Sequence, residues 1–257
     1  AVVPLSWPSA TVLAMAQDYL GPNVRLAPQN QTAAGFHPLI LFVGNQTHLH
    51  TEPVEWLKIR QYYETILVIT SLRWADDSES TPPFGTSVVL YLDESLAIIG
   101  GNFFYGFPKK PSRILVSGSL ASGSFSFVAE HPLKKAEALL SVNVTASTSP
   151  QSGAWQPSNS LGPDFQAYLA YLDAAMNRIV QRDEEDLTGK RVFCSAMDVH
   201  LSTASFFPCD VHANLAQGFA AGSPAGQWKV APVAVGTHDG AFMMQTWWRL
   251  SKPWVKC

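Results

Sequence analysis

The chain has 257 residues, and a hydrophobic fraction of 47 % excludes disorder as its main state. Charged residues make up only 14 %, and with a net charge of −3 and no Lys/Arg run, nucleic acid is not an expected partner. Apolar runs such as Ile66 to Ile69 are far shorter than the ~18 residues a membrane span needs, so no membrane partner is expected either.

No repeat or strong composition shift divides the sequence, so residues 1–257 read as one α+β domain. Ser9 to Tyr19 predicts a short helix, followed by a Pro/Gln/Asn-rich loop. The apolar run Pro38 to Val43 predicts a buried strand, and Glu64 to Leu72, rich in Ile, Val and Thr, a second one. Trp74 to Pro83 is a polar turn. Strand patterns follow at short spacing: Ser87 to Leu92, Leu96 to Ile99, Arg113 to Ser117, Ser124 to Ala129 and Ala138 to Ala146. Such spacing predicts a barrel or sandwich of mostly antiparallel strands. After a loop at Pro150 to Pro163, Asp164 reads as an N-cap. Phe165, Leu169, Leu172, Met176 and Ile179 then recur at helical spacing, predicting one long helix up to Gln181. Arg191 to Leu201, Lys229 to Val235 and Ala241 to Leu250 read as late strands.

Three sequons, at Asn30, Asn45 and Asn143, predict a secreted or secretory-pathway glycoprotein, with those asparagines on the surface. The first residue is Ala1 and no apolar leader follows it, which agrees with a leader already removed and equally with an arbitrary start. Three cysteines in an oxidising compartment imply one disulfide and one free thiol. Cys194 and Cys209 are close enough in sequence to bridge neighbouring strands, while Cys257 could pair with either; three buried thiols are the plain alternative.

The chemistry concentrates in Tyr91 to Lys110: a strand, an acidic turn, a second strand, a Gly-Gly pair, an aromatic run, then Pro108, Lys109 and Lys110. Adjacent lysines in apolar surroundings are unusual in a chain with only 17 Lys plus Arg. A lysine that is desolvated or beside a second cation has a lowered pKa. Its neutral amine can then attack a carbonyl and form a Schiff base. A solvated pair at a loop start is the ordinary reading of a bare Lys-Lys.

Tyr91, Leu92, Asp93, Ala97, Ile98, Gly101, Pro108, Lys109 and Lys110 follow one another in the order of a known pattern. This stretch resembles the acetoacetate decarboxylase family. The resemblance implies a cone-like barrel or sheet body of mostly antiparallel β, with Lys109 as the Schiff-base lysine and Lys110 as the neighbour that depresses its pKa. It further implies that Glu79, in Ser78-Glu79-Ser80, is the pocket carboxylate, with Glu64 beside it at the family's spacing. Arg25 is the nearest candidate for the family's arginine that meets the pocket glutamate, although it stands further from Glu64 than the pattern asks. The family's Arg-Glu pair after the glycine is here Asn102 and Phe103, and the Glu79 to Tyr91 loop is shorter; both bear on the substrate more than on the lysine. Phe103, Tyr105 and Phe107 suggest an apolar pocket mouth that contacts substrate.

His48, His50 and Glu52 alternate as metal ligands on a strand can, but no fourth ligand accompanies them, and no metal is expected. No phosphate-binding loop or dinucleotide fingerprint is present, and no cofactor is expected. His200, His212 and His238 lie in or beside the late strands without a partner pattern. The sequence therefore predicts a Schiff-base-forming lyase for a small keto acid or carbonyl compound, foremost a decarboxylase, with aldolase chemistry drawing on the same iminium. Its partner is the small carbonyl substrate, with self-association left open. The alternative is a secreted binding protein that holds an apolar or carbonyl ligand in the same cavity without turnover.

Overall fold

In the computed structural model, the backbone is described for residues 2–28, 34–46, 49–51, 54–59, 61–119, 122–134, 136–146, 179–182 and 191–251. Within these, side chains at 54–59, 103–105, 193–209 and 227–251 fall outside the described residues, as do a few isolated ones.

Twelve strands form one sheet. Its path begins with β1 (Val2–Pro8), β3 (Phe36–Gln46), β6 (Tyr62–Trp74) and β7 (Phe84–Leu92). It continues through β12 (Ile179–Arg182), β13 (Arg191–Leu215), β11 (Ala138–Ala146), β10 (Ser124–Glu130) and β9 (Arg113–Ser119). Three strands branch from this path: β2 (Val24–Leu26) on β6, β8 (Lys109–Pro111) on β7 and β14 (Gly226–Ser251) on β13. A small hairpin, β4 (Leu49–Thr51) with β5 (Val54–Ile59), stands apart. All pairings are antiparallel except β12 with β7 and β7 with β8. The described pairings do not close into a barrel.

The apolar runs read in the sequence become central strands that are buried on both faces. Leu39, Ile40 and Leu41 of β3 and Leu67, Val68 and Ile69 of β6 are all fully or almost fully buried. Long β6 does not run straight. Its pairing with β7 slips between Leu67 and Val68 and again between Ile69 and Leu72, where Ser71 takes a left-handed φ of 53°. The carbonyls freed by this break are recovered: Ala27 N donates to Ser71 O at 2.8 Å, and the buried His37 ring bonds Thr70 O at 2.8 Å.

Helix α1 (Ser9–Leu20) forms where its periodicity predicts, burying Val12, Met15, Ala16 and Leu20 on one face. The second helix is a correction to the sequence reading. Leu96 to Ile99 is not a strand but part of α2 (Ser95–Tyr105). A short apolar run carries no decisive period, and here the caps decide. Glu94 is the N-cap and its Oε2 accepts from Ala97 N at 2.7 Å. At the other end Gly106 takes a left-handed φ of 65°, with Gly106 N bonded to Asn102 O at 3.2 Å and Phe107 N to Gly101 O at 3.1 Å. The bond from Gly106 N to Asn102 O is that of an αL close, after which Pro108 cannot continue the helix.

The long helix expected at Asp164 to Gln181 falls mostly outside the described residues. Its last turn is corrected, since Ile179–Arg182 is a strand between β7 and β13. The late strands are longer than expected, forming a hairpin of 25 and 26 residues in β13 and β14. This corrects the cysteine reading too. Cys194 and Cys209 do not lie on neighbouring strands; both are in β13, opposite Trp247 and Val233 respectively. Fifteen residues of extended chain part them by about 50 Å at ~3.3 Å per residue, whereas a disulfide needs Cα atoms within ~7 Å. A Cys194–Cys209 bridge is therefore incompatible with this strand. Cys257 lies outside the described residues.

Candidate functional site

Lys109 is brought into place by the close of α2. Gly106 turns the chain, Pro108 stops the helix, and β8 joins β7 in parallel with Lys109 opposite Leu90 and Lys110 opposite Tyr91. Asn102 then clamps the lysine backbone from both sides: Lys109 N donates to its Oδ1 at 2.8 Å, and its Nδ2 donates to Lys109 O at 3.1 Å. The lysine side chain folds back across α2 over Gly101. A Cβ at that glycine would stand 2.3 Å from Lys109 Cδ and 2.4 Å from Cε, so only glycine leaves room for it.

Strand alternation sets what faces what. Across β6, β7 and β8, Ile66, Leu90 and Lys109 share one row. Glu64 and Leu92 lie in the next row on the same face, and Tyr62 follows two residues earlier on β6. Tyr62, Leu90, Leu92, Ala97, Phe107 and Ile179 form an apolar cluster there, separate from the main core. The Lys109 ammonium nitrogen lies over the Tyr62 ring, 5.8 Å from its centroid.

Two carboxylates act on Lys109. Glu64 is buried and accepts from Gln46 Nε2 at 2.6 Å. Glu94 is half-buried at the head of α2. Burial is the larger influence and lowers the Lys109 pKa from its ordinary value; the Glu64 and Glu94 charges pull it back up. Tyr62 is held well above the usual phenol range, first by burial, then by the charge of Glu64 and a side-chain hydrogen bond to it, and by the charges of Glu94 and Asp93.

The residues singled out in the sequence divide into two groups. Lys109, Glu64 and Phe107 meet in this apolar cluster or beside it. Lys110 does not: the next residue along a strand points to the opposite face, and Lys110 is exposed. Burial leads the causes that lower the Lys109 pKa, and Lys110 is not among them.

Glu79 is also elsewhere. It follows the far end of β6, and Glu64 and Arg73 lie nine residues apart in that strand, a span of up to about 30 Å. The Glu79 side chain is 66 % exposed and pairs with Arg25 at 2.8 Å and with Arg73, whose Nη2 also donates to Glu79 O at 2.7 Å. These two guanidiniums lower its pKa, the Arg25 hydrogen bond foremost. The arginine and glutamate that the resemblance asks to meet do meet, but as a loop clasp away from Lys109. Arg25 is further spent on Asp77 O at 2.8 Å.

Phe103 and Tyr105 lie on α2, with side chains outside the described residues. Asn45 and Asn143 are exposed, on β3 and β11; Asn30 lies outside the described residues. His48 and Glu52 are likewise outside them, and among the described residues no group of His, Cys, Asp or Glu could hold a metal.

Neither a protein-family model nor a curated protein matches the sequence. Solved structures do match. The acetoacetate decarboxylase of Legionella pneumophila superposes with a TM-score of 0.55 at 12 % identity, over 97 % of this chain and 82 % of that one. A second structure, described as structural studies of acetoacetate decarboxylase, gives 0.50 at 11 % identity, over 88 % of this chain and 85 % of that one. The fold is that of acetoacetate decarboxylase. At such identity the likeness speaks for the fold alone.

Sequence reading missed Tyr62, Gln46 and Glu94 and treated Asn102 only as a departure. For Tyr62 the signal was available, since residues two apart on a strand share a face with Glu64. Gln46 is brought in by a register between β3 and β6 that no local pattern encodes.

Proposed function

We propose that the protein is a carbon–carbon lyase that forms a Schiff base between Lys109 and a small keto acid or carbonyl compound, foremost as a decarboxylase. The observation that carries this reading is a half-buried lysine of lowered pKa, set over Gly101 beside an apolar cluster and the Glu64 carboxylate. An uncharged amine is the nucleophile such chemistry needs. Lys109 Nζ attacks the carbonyl carbon, and the carbinolamine loses water to leave an iminium. In a β-keto acid the bond to the carboxyl carbon then breaks. Its electron pair moves into the iminium, CO2 leaves, and an enamine remains. Protonation at carbon and hydrolysis return ketone and free lysine. The Tyr62 ring and Glu64 stabilise the positive nitrogen of the iminium.

The test is intact mass after borohydride reduction with a panel of keto acids, ketones and aldehydes, run on the natural protein and on Lys109→Ala. A reduced adduct that vanishes in the variant supports the reading. No adduct with any carbonyl refutes it and leaves a ligand-binding protein on this scaffold. A secretory-pathway location is proposed alongside, on the exposed Asn45 and Asn143 sequons; a mass loss on endoglycosidase treatment of protein from secreting cells would support it.

A further inference from the structure

We propose that Tyr62, together with Gln46, positions Glu64 as the group that removes and returns the α-proton of the carbonyl compound bound to Lys109. The inference rests on the Schiff-base reading above and adds to it a dedicated proton-handling unit.

Three residues on two strands build this unit. Tyr62 and Glu64 are two apart on β6 and so share the face that carries the cluster around Lys109. Gln46 is the direct partner of Tyr62 in the β3–β6 register, and its amide reaches past it to Glu64 Oε1 at 2.6 Å. The Tyr62 hydroxyl is turned toward the same carboxylate, whose charge and hydrogen bonding oppose its ionisation. Glu64 is thus buried and held by the Gln46 amide, with the Tyr62 hydroxyl turned toward it. Neutral donors hold a carboxylate without cancelling its charge, so it keeps its attraction for a positive nitrogen nearby. The Tyr62 hydroxyl stays protonated across the working range, because burial and three neighbouring carboxylates oppose its ionisation. It therefore remains a donor to Glu64 and does not compete for the substrate proton. Its ring meanwhile faces Lys109 Nζ, so one side chain touches both the nucleophile and the base.

The step balances without a further reagent. The Glu64 carboxylate takes a proton from the carbon next to the iminium carbon. The C–H electron pair forms the enamine double bond, the iminium π pair returns to nitrogen, and the reverse transfer restores the iminium.

Acetone in D2O is the probe, since enamine formation exchanges its protons for deuterium whatever the natural substrate. Exchange is followed by NMR and adduct formation by borohydride mass shift. In Tyr62→Phe the ring remains and the hydroxyl is lost; the adduct should persist while Lys109-dependent exchange falls about 10- to 100-fold, the effect of a misaligned base. Gln46→Met, which removes the other donor, should move in the same direction, and Glu64→Gln further. Unfolding curves identify any variant that fails to fold, and the remaining one then carries the test. Unchanged exchange in both folded donor variants overturns the inference, as does a loss of exchange that only mirrors a loss of adduct. No adduct in the natural protein overturns the Schiff-base reading itself, and this inference with it.

Discussion

Substituting Gly101 by alanine separates the stability of this fold from the reactivity of its lysine. Two effects oppose each other. Alanine in a helix interior is worth about 1 kcal/mol over glycine. Against that, the new Cβ would lie 2.3 Å from Lys109 Cδ, 2.4 Å from Cε and 2.9 Å from Nζ, where van der Waals contact needs ~3.5–4.0 Å. Overpacking of this kind costs about 1–3 kcal/mol. The lysine backbone cannot yield, because Asn102 holds both its N–H and its carbonyl. The side chain must therefore swing away from Tyr62 and Glu64. Stability should change by no more than about 2 kcal/mol, while borohydride trapping falls tenfold or more as the amine leaves its site. Gly100→Ala is the matched control, since nothing lies within 4 Å of a Cβ there. It should gain up to about 1 kcal/mol in urea unfolding and trap normally. Full trapping in Gly101→Ala would refute the placement of Lys109 across α2.

Trapping by Lys109 should rise with pH through a midpoint below the ordinary lysine value of 10.5, because burial disfavours the ammonium and the neutral amine is the reactive form. Glu64→Gln removes a charge that raises this pKa, so the midpoint should move lower still in a pH–rate series; a move upward would contradict the assignment. Asn102→Ala removes two hydrogen bonds to the Lys109 backbone and should lower stability by about 1–3 kcal/mol in urea unfolding, with slower trapping. Glu79→Ala should leave the trapping rate unchanged, since that carboxylate closes a surface loop with Arg25 and Arg73; a large loss would return Glu79 to the site.

The sequence was most legible where local physics and tertiary role agree. Apolar runs at β3, β6 and β7 were readable because these strands are buried on both faces, and the face of α1 because its burial repeats the helical period. The strands β8 and β12 were not, being only three and four residues long, and β1 was not because Pro4 and Pro8 speak against a strand although Val3, Leu5 and Trp7 alternate into the core. Leu96 to Ile99 misled because an apolar run without caps fits both helix and strand. The Glu94 cap and the Gly106 close settle it, and both were present in the letters.

By itself, the sequence determined the lysine, the turn that delivers it and the run of residues that resembles acetoacetate decarboxylase. The Gly-Phe-Pro-Lys stretch is a local device: a left-handed glycine, a helix stop and a strand, all within hydrogen-bonding reach of Asn102. Only the tertiary structure decided which charges the lysine feels. Strand alternation sends Lys109 inward and Lys110 out, and the length of β6 parts Glu79 from Glu64. Register between β3 and β6 brings Gln46 to Glu64 from eighteen residues away. Proton affinity is set by burial and by neighbours across strands, and neither is encoded in the adjacency of two lysines.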